Sequence, residues 1–433
     1  MEATNQLFAL VDVNNMYVAC ERAMNPKLLG RYVCVLSNND GNVVARSPEV
    51  KALKSIRMGA PWHQIKDLVR QYQIIGLSSN YTLYADMSNR FVEVVRRYSP
   101  QIEIYSIDEV FLNLVGMASI WQTPTRLGQA LRSEILQWTT LPVCVGIAPT
   151  KTLAKLANHV AKKLPLFEGV CDFSTTSAPR AAWLFNRIEV DEVWSVGRRI
   201  AARLHGMEIH TVQQLKDVDP REIRMHFGVV MERTVCELRG MSCLALEEVA
   251  PARKEIFSSR SFGTLVTSFE ELAEAVSVYI GRAGAKLRTQ HSVCGAVQVF
   301  VQTNAFRRQD DQYSNGITVP LISPSDDNRV LTAAAIAGLR RIFRVEFNYK
   351  KAGIILQDLS PSTTLQTTLF DDAPSRNNAT KIMGALDALN QKFGRDTLHL
   401  AASGLQPRWG MRSSHRTPCY TTRWEDLPRA SAK

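Results

Sequence analysis

Acidic residues stand at two places where a short apolar segment of the sequence ends. Asp12 follows LFALV, and Asp108 and Glu109 follow IEIYSI. Both segments have the composition of short buried strands. Carboxylates are rarely buried unless they are paired or bind a cation, so three of them at neighbouring strand ends predict a divalent metal site. Oxygen ligands favour Mg²⁺, and two such ions about 3.5–4 Å apart can promote an in-line displacement at phosphorus.

The same residues have a structural alternative, in which Asp12 caps the next segment while Asp108 and Glu109 close a hairpin. The neighbouring residues favour the metal site. LFALVDVNNMYVACE and IYSIDEVFLNL resemble the two metal-binding motifs of the Y-family, the translesion DNA polymerases. This resemblance implies that Asp12, the main-chain carbonyl of Val13, Asp108 and Glu109 hold two Mg²⁺ ions.

The resemblance also assigns residues to the incoming dNTP. Tyr17 matches the steric gate of the family, an aromatic ring that leaves no room for a 2′-hydroxyl. ARSPEVKAL resembles the fingers motif, which places Lys51 at the triphosphate, with Arg46 as a second candidate. GIAPTKTLAKLANHVAKKL predicts a strand, a turn and a helix, and its match places Lys162 at the triphosphate and Lys155 beside the site. Without the family, Tyr17 is more typical of a core and the lysines of a solvated helix face.

The fingers motif departs from the family pattern in two places. Pro48 stands where many members have a Tyr that touches phosphate, so we expect that contact to be absent or replaced by Arg46. Lys54 and Ser55 stand where a Gly is expected. Because Gly supplies a positive φ at little cost, we expect the local backbone to differ.

Composition agrees with an enzyme of nucleic acids. The chain has 433 residues, of which 45% are hydrophobic, and a formal charge of +11, which predicts an anionic partner. A membrane surface could also attract this charge, but no apolar run approaches the roughly 20 residues of a span, and no secretory signal is evident, so we expect a cytoplasmic protein without a membrane partner. The eight cysteines form no CxxC pair, which argues against zinc ribbons and a disulfide framework.

The order of segments predicts a multidomain α/β and α+β protein. With the resemblance, this becomes the Y-family right hand of palm, fingers and helical thumb, together with a little-finger domain and a C-terminal tail. The expected boundaries are palm 1–19 and 78–172, fingers 20–77, thumb 173–251, little finger 252–360, linker 361–380 and tail 381–433. Within the palm, residues 78–100 predict one helix that begins at Ser or Asn and ends before Pro100.

Two regions are expected to contact the primer-template DNA. VWSVGRRIAARLHGMEIHTVQQL resembles a helix-hairpin-helix, which binds the DNA backbone through amides and nearby cations. The contacts predicted there are Gly197, Arg198 and Arg199, although a plain αα-hairpin with surface arginines fits the pattern as well. Residues 252–360 predict a β-α-β-β-α-β order that matches the little finger. The resemblance places three further DNA contacts in its first strand, Ser259, Arg260 and Ser261.

The polar linker contains QTTLF, in which Leu369 and Phe370 are apolar anchors in a solvated segment. Ligands of the bacterial sliding clamp have this Q-x-x-L-F form, which implies that Gln366, Leu369 and Phe370 bind the clamp. The ending GLQPRWGMRSSHRTPCYTTRWEDLPRA resembles the tail of the longer, polymerase V-type members of the family. That likeness implies a surface for a processed UmuD-type dimer and for RecA, whereas composition alone allows a small packed tail.

These features together predict template-directed nucleotidyl transfer to a primer 3′-hydroxyl, and the family resemblance implies that it is error-prone, acts opposite damaged DNA and belongs to the SOS response. Two other classes of protein share part of the pattern. A non-catalytic DNA- or clamp-binding scaffold has no need of three carboxylates and a gate. A nucleotide cyclase has no need of a clamp motif. This chain has both the three carboxylates with the gate and the clamp motif, which favours the polymerase.

Overall fold

The structure is a computed structural model and describes residues 6–248, 251–307, 309–364, 373–405 and 408–427. These residues form two compact units. The first contains the described parts of 1–37, 41–250 and 415–433, and the second contains 38–40 and the described parts of 251–414. Within these ranges, the helices are all too short or too polar to cross a membrane.

The first unit alternates strands and helices and then becomes helical, as the segment order predicts. Short 3₁₀ helices at Pro26–Leu28, Trp62–Gln64, Pro165–Phe167 and Val190–Glu192 connect some of its elements. The strands and α-helices in chain order are β1 (Phe8–Val13), α1 (Met16–Met24), β2 (Val33–Leu36), β3 (Val43–Arg46), α2 (Pro48–Ala52), α3 (Lys66–Gln71), β4 (Ile75–Ser78), α4 (Tyr81–Arg96), β5 (Ile102–Ile104), β6 (Glu109–Asn113), α5 (Ala118–Trp121), α6 (Pro124–Thr139), β7 (Val143–Ala148), α7 (Lys151–Lys163), β8 (Val170–Asp172), α8 (Ala178–Phe185), α9 (Arg198–His205), α10 (Val212–Asp217), α11 (Pro220–Phe227) and α12 (Val229–Leu238).

The central sheet has the strand order β5-β6-β1-β7-β8, and β1 pairs antiparallel with both of its neighbours. Both faces of β1 are covered, which explains its continuous apolar sequence. Ala9 and Val11 belong to the core that includes α4 and α6, whereas Phe8 and Leu10 belong to the core that includes α7. Because side chains alternate along a strand, Asp12 lies on the face that α7 covers.

The helices beside this sheet follow their sequence patterns. The helix predicted in 78–100 is confirmed as α4, and the side chain of Asn80 caps it by accepting a hydrogen bond from the Leu83 N–H at 3.4 Å. The strand, turn and helix predicted around Pro149 are confirmed as β7 and α7. The apolar residues of α7 are buried at helical spacing, as at Leu153 and Leu156, so this helix is held on the sheet by one face.

A separate small sheet, in the order β3-β2-β4, lies within residues 33–78. Its core includes Cys34, Leu36 and Val50. The turn after α2 differs from the family pattern in residue type, and Lys54 there has a φ of +56°. This left-handed conformation is one that glycine adopts easily and that costs other residues about 1–2 kcal/mol. Lys54 therefore supplies the conformation that the expected Gly would provide.

The helices α8 to α12 share the core that α7 forms with Phe8 and Leu10 of the central sheet, and Leu204, Val212 and Leu215 are buried in it. The predicted pair of closely spaced helices is present as α9 and α10. Thr211 caps α10, and the side chain of Gln214 bonds back to the Thr211 N–H at 3.0 Å. This reciprocal cap fixes where the second helix of the hairpin begins.

The second unit has the predicted β-α-β-β-α-β order, followed by one more helix. Its strands form an antiparallel sheet in the order β11-β10-β12-β9. Apolar residues of both of the first two helices belong to its core. The elements are β9 (Ile256–Val266), α13 (Phe269–Thr289), β10 (Ser292–Thr303), β11 (Ser314–Ser325), α14 (Asn328–Ile342), β12 (Tyr349–Pro361) and α15 (Ala373–Phe393).

The region after β12 differs from the expected linker 361–380, because α15 already begins at Ala373. Tertiary packing explains this difference, since Met383 of α15 is buried although the preceding residues have turn-forming types. Further on, Trp409 is buried in the core of the second unit against Phe262 and Tyr279. Part of the C-terminal tail is therefore packed into this unit.

Candidate active site

Asp12 and Glu109 face each other across two paired strands. β1 and β6 are antiparallel, and their register places Asp12 opposite Glu109. Side chains at opposite positions point to the same face, with Cβ atoms about 4.5–5.5 Å apart. The Asp12 side chain is 13% exposed and the Glu109 side chain 18%. The sheet register thus brings two of the three predicted carboxylates to one partly buried place.

Asp108 lies in the turn between β5 and β6. The strand predicted for the whole of IEIYSI is therefore shorter than expected and ends before the acidic pair. The strand ends at Ile104, and Ser106 organises the turn. Its hydroxyl donates to Asp108 Oδ1 at 2.7 Å and accepts from the N–H of Glu109 at 3.1 Å. The N–H of Val13 donates to the Asp108 carbonyl at 2.9 Å, which joins the turn to the end of β1. Asp12 likewise differs from the expectation, since it lies inside β1.

The pKa of Asp12 shows that the three carboxylates influence one another. This pKa is raised from 3.8 to about 6, mainly by burial; Lys162 opposes the rise, and the negative charges of Glu109 and Asp108 add to it. An anion at Asp12 is therefore costly even with the Lys162 ammonium group beside it. This electrostatic strain is typical of functional sites.

Two lysines of α7 neutralise the paired carboxylates. Lys162 Nζ lies 2.6 Å from Asp12 Oδ1, and Lys155 Nζ lies 2.9 Å from Glu109 Oε1. Their spacing of seven residues puts both ammonium groups on the same face of the helix. Lys155 also lies over two aromatic rings, 4.4 Å from the centre of Tyr105 and 5.1 Å from that of Trp194. The sequence indicated Lys155 only as a neighbour of the site, and the structure makes it the partner of Glu109.

In the part of the chain that the structure describes, no group of three or more His, Cys, Asp or Glu side chains is arranged to hold a metal ion as it stands. The residues nevertheless fit a divalent cation in chemistry. Asp12, Asp108 and Glu109 supply hard oxygen ligands next to the main chain of Val13, and such ligands select Mg²⁺. A cation would replace the lysine ammonium groups as the counter-charge, so the donor set is present but occupied by lysine.

Arg46 and Lys51, the predicted triphosphate ligands from the small sheet and α2, share an electrostatic neighbourhood with α7. Burial lowers the pKa of Lys51, the charges of Arg46 and Lys162 lower it further, and Asp12 raises it. Arg46 Nη1 donates to the Ile56 carbonyl at 2.5 Å, so part of this side chain holds the following loop. The charges of Arg46, Lys51 and Lys162 therefore act in one neighbourhood, which brings three of the predicted nucleotide ligands together beside Asp12.

Tyr17 lies on the first turn of α1, near the carboxylates. Its half-buried ring stacks on Tyr84 with centres 4.5 Å apart and meets the edge of Tyr81 at 6.0 Å. Burial raises the pKa of Tyr17, and the charges of Tyr81 and Asp108 contribute to the rise. The predicted gate is thus a ring held between aromatic side chains at the edge of the acidic site.

The predicted DNA contacts of the helix hairpin are exposed at the surface. Gly197 is the extended residue that precedes α9, and Arg198 and Arg199 are exposed on its first turn. A helix start with adjacent cations suits a phosphate group. These contacts remain predictions, and they belong to a different part of the first unit from the carboxylates.

The remaining predicted contacts lie elsewhere. Ser259, Arg260 and Ser261 lie on β9, the edge strand of the second sheet, and all three are half-buried. Arg260 Nη1 donates to the Ser259 carbonyl at 2.7 Å, which holds its guanidinium along the strand. The clamp-binding residues fall outside the described residues, so the structure does not test them; they are Gln366, Leu369 and Phe370.

Several residues that support the site were not found from the sequence. Tyr84 underlies the Tyr17 ring, and Glu21 accepts a hydrogen bond from the Tyr84 hydroxyl at 2.7 Å. The spacing of Tyr81 and Tyr84 indicates one helix face, and that of Tyr17 and Glu21 indicates another. That these faces meet is a tertiary contact that spacing alone does not predict.

Comparisons with protein families agree with this architecture. The impB/mucB/samB family matches residues 11–159, and the C-terminal domain of the same family matches residues 253–369. A domain of unknown function, DUF4113, matches residues 380–430. The matches therefore include the carboxylate site, the second sheet and most of the tail.

Similar proteins that have names agree with these family matches. Protein UmuC of Salmonella typhimurium is 45% identical over 98% of this chain and 100% of its own length. Protein MucB of Escherichia coli is 42% identical over 99% of this chain and 100% of its own length. DNA polymerase IV 1 of Halalkalibacterium halodurans is 25% identical over 67% of this chain and 69% of its own length.

Solved structures support the fold. The Y-family DNA polymerase chimera Dbh-Dpo4(243-245)-Dbh aligns with a TM-score of 0.62 at 20% identity, covering 82% of this chain and 99% of that chain. A Dbh ternary complex aligns with a TM-score of 0.54 at 19% identity, covering 81% and 98%. At this identity the likeness concerns the fold alone.

Proposed function

The chain belongs to the impB/mucB/samB family and is a UmuC-type, Y-family translesion DNA polymerase, and from this premise we propose how its residues perform the reaction. The reaction is template-directed transfer of a nucleotide from a dNTP to a primer 3′-hydroxyl opposite damaged DNA, and we place it in the cytoplasm during the SOS response. The observation that carries the proposal is the pairing of Asp12 with Glu109 across two strands, facing the cations of α7.

The carboxylate site is proposed to hold two Mg²⁺ ions through Asp12, Asp108, Glu109 and the main-chain carbonyl of Val13. When bound, Mg²⁺ lowers the pKa of a coordinated hydroxyl and neutralises phosphate charge. The raised pKa of Asp12 supports this role, because an added positive charge stabilises its carboxylate. A bound cation would take over from Lys155 as the counter-charge of Glu109, and the rings of Tyr105 and Trp194 would continue to hold Lys155 beside the site.

The cations around the site are proposed to bind and orient the triphosphate. Lys162 leaves Asp12 for the phosphates, where Lys51 and Arg46 already contribute positive charge. Such preorganised cations stabilise the charge that develops on the leaving pyrophosphate. The triphosphate is then fixed between α2 and α7, with its sugar over Tyr17. An added 2′-hydroxyl would collide with this ring. The ring cannot move away, because it is stacked on Tyr84.

Contacts with macromolecules complete the proposal. The exposed amide and cations at Gly197, Arg198 and Arg199 suit the phosphate backbone of the primer-template DNA. A second contact is proposed along β9, at Ser259, Arg260 and Ser261. The sequence QTTLF supports tethering to the sliding clamp through Gln366, Leu369 and Phe370. The proposed protein partners, inferred from the family, are a processed UmuD-type dimer and RecA.

The test is Mg²⁺-dependent primer extension on undamaged DNA and across an abasic template site, with the processed UmuD-type dimer and activated RecA present. The wild type is expected to extend both primers. The Asp108→Ala/Glu109→Ala variant is expected to bind DNA and to extend neither. Asp86→Asn is the matched control, because Asp86 is an acid of α4 that forms an ion pair with Arg90 away from the carboxylate site. Extension by the double variant would refute the assignment of the carboxylates.

A further inference from the structure

The C-terminal tail returns to the first unit next to the residues that hold Tyr17. We define residues 415–420 as the tail strap. The strap runs beside the end of β4, where the Ser78 N–H donates to the His415 carbonyl and the His415 N–H donates to Ser78 Oγ, both at 3.0 Å. Arg416 forms a parallel bridge with Ser78. The strap is therefore attached to the main chain just before α4.

The next attachment is Asn80, which is fully buried and caps α4. Its amide Nδ2 donates to the carbonyls of Thr417 and Pro418 and to Thr417 Oγ1, each at 3.0 Å. One side chain thus holds both the start of α4 and the middle of the strap. Since Tyr81 and Tyr84 follow within one turn, the strap restrains the segment that carries both rings around Tyr17.

Thr417 also reaches the helix that carries Tyr17. Its hydroxyl donates to Glu21 Oε1 at 3.1 Å, and the Tyr84 hydroxyl donates to the same oxygen at 2.7 Å. Glu21 lies four residues after Tyr17, one turn along α1. The strap is therefore connected to the proposed gate through three contacts. Thr417 bonds to Glu21, Glu21 bonds to Tyr84, and the Tyr84 ring stacks on Tyr17.

Glu21 depends on these donors because it is only 1% exposed. Burial raises its pKa, whereas the hydrogen bonds from Tyr84 and Thr417 lower it. Its second oxygen, Oε2, has no hydrogen-bond partner among the described residues. A buried acid with two donors loses much of its support when one is removed. Without the Thr417 hydroxyl, the carboxylate and the Tyr84 hydroxyl have to adjust together.

We propose that the tail strap positions the sugar gate, so that Thr417, Glu21 and Tyr84 set how strongly the polymerase rejects ribonucleotides. The residues act through Tyr17 and are positioning residues. The strap lies in the region matched by the domain of unknown function, to which the proposal gives a role in substrate selection. The proposal rests on the proposed function, in which Tyr17 contacts the sugar.

The test compares incorporation of dCTP and of CTP opposite a template guanine by the full chain with its dimer and RecA partners. The quantity measured is the ratio of kcat/KM for dCTP to kcat/KM for CTP. Thr417→Val keeps the shape and removes the hydroxyl, and it is expected to lower this ratio about fivefold, the effect of one hydrogen bond on a transition state. Thr417→Ser restores the hydroxyl and is expected to restore the ratio.

Two further variants make the test specific. Tyr84→Phe removes only the hydroxyl that reaches Glu21 and is expected to lower the ratio in the same direction, which keeps the proposal testable if Thr417→Val folds poorly. Thr422→Val is the matched control, since Thr422 is an exposed threonine of the same tail. It is expected to leave the ratio unchanged. Tyr17→Ala measures the full effect of losing the gate.

The outcomes separate this proposal from the one on which it rests. A fall in the ratio for Thr417→Val and Tyr84→Phe, with recovery in Thr417→Ser, supports the strap. An equal loss of dCTP and CTP incorporation, with the ratio unchanged, shows a merely structural tail and overturns the proposal alone. If the wild type incorporates neither nucleotide, or if Tyr17→Ala keeps the wild-type ratio, the proposed function or its gate fails, and the strap proposal fails with it.

Discussion

Asp12→Asn is predicted to make the metal-free protein more stable while it abolishes polymerase activity. The Asp12 side chain is 13% exposed, and burial, with Glu109 and Asp108 nearby, raises its pKa from 3.8 to about 6 despite the pairing with Lys162. A carboxyl group whose pKa is raised on folding binds its proton more tightly in the folded state. The free energy of unfolding therefore falls as the pH rises.

The size of the effect follows from the two pKa values of Asp12. The difference between about 6 and 3.8 is about 2.2 units, which corresponds to about 3 kcal/mol at about 1.36 kcal/mol per unit. The loss of stability begins near pH 4, where the unfolded chain ionises, and is complete above about pH 6, where the folded protein does. Asparagine does not titrate and escapes this loss. Because Lys162 loses its partner in the variant, we expect a net gain of about 2 kcal/mol at pH 8.

Thermal unfolding of the full chain in EDTA at pH 5 and pH 8 measures this effect. At pH 8, Asp12→Asn is expected to unfold about 4–8 °C above the wild type, from the usual relation between free energy and Tm for units of this size. At pH 5 the gap is expected to shrink to about a third of its value at pH 8, because the wild type has by then lost only about half of the stability that ionisation of Asp12 removes. Saturating Mg²⁺ is expected to raise the Tm of the wild type and not of the variant. Asp86→Asn, at a partly exposed position of α4, is the control. A lower Tm for Asp12→Asn at pH 8, or a gap independent of pH, would refute the reasoning.

Three other changes have expected outcomes. Glu103→Gln is predicted to lower the free energy of unfolding by about 3–5 kcal/mol, measured by urea or thermal unfolding. The reason is that buried Lys151, whose Nζ lies 2.6 Å from Glu103 Oε2 in the wild type, loses its counter-charge. Lys54→Gly is predicted to raise the stability by up to about 1 kcal/mol in the same assay by removing the strain of the left-handed φ. Arg198→Ala/Arg199→Ala is predicted to weaken primer-template binding and to reduce the slope of log affinity against log salt by about two.

Each of these results has a clear contrary outcome. Glu103→Gln with nearly wild-type stability would mean that the buried pair with Lys151 is solvated in solution. A less stable Lys54→Gly would show that the Lys54 side chain contributes more than its backbone costs. An unchanged salt slope for the double arginine variant would show that α9 does not touch DNA phosphates.

Much of the fold was predictable from local patterns. The periodicity of α4 and α7 and the β-α-β-β-α-β order of the second unit are short-range signals, and each is confirmed. Boundaries were less accurate where tertiary structure decides them. Asp12 lies inside its strand because β6 and β7 pair with β1 on both sides, and the Ser106 turn ends β5 earlier than the apolar sequence indicates.

The charged residues of the site were predictable from the sequence. The residues that hold them in place were harder to predict. The motifs identified Asp12, Lys51 and Lys162, which the structure brings together. No local pattern pairs Lys155 with Glu109. The contact between Thr417 and Glu21 joins residues 396 positions apart, so it depends on how the tail folds back on the first unit. Such contacts follow from the assembled fold, which short-range periodicity does not contain.

The most direct test of the central claim is a Mn²⁺ titration of the free protein followed by electron paramagnetic resonance. If Asp12, Asp108 and Glu109 form the metal site, the wild type and the surface control Asp86→Asn are expected to bind Mn²⁺ equally. Asp108→Asn/Glu109→Gln is expected to bind at least about tenfold more weakly, since even residues that only support metal ligands contribute that much. Equal binding by the wild type and the double variant would contradict the assignment of the polymerase site to these carboxylates.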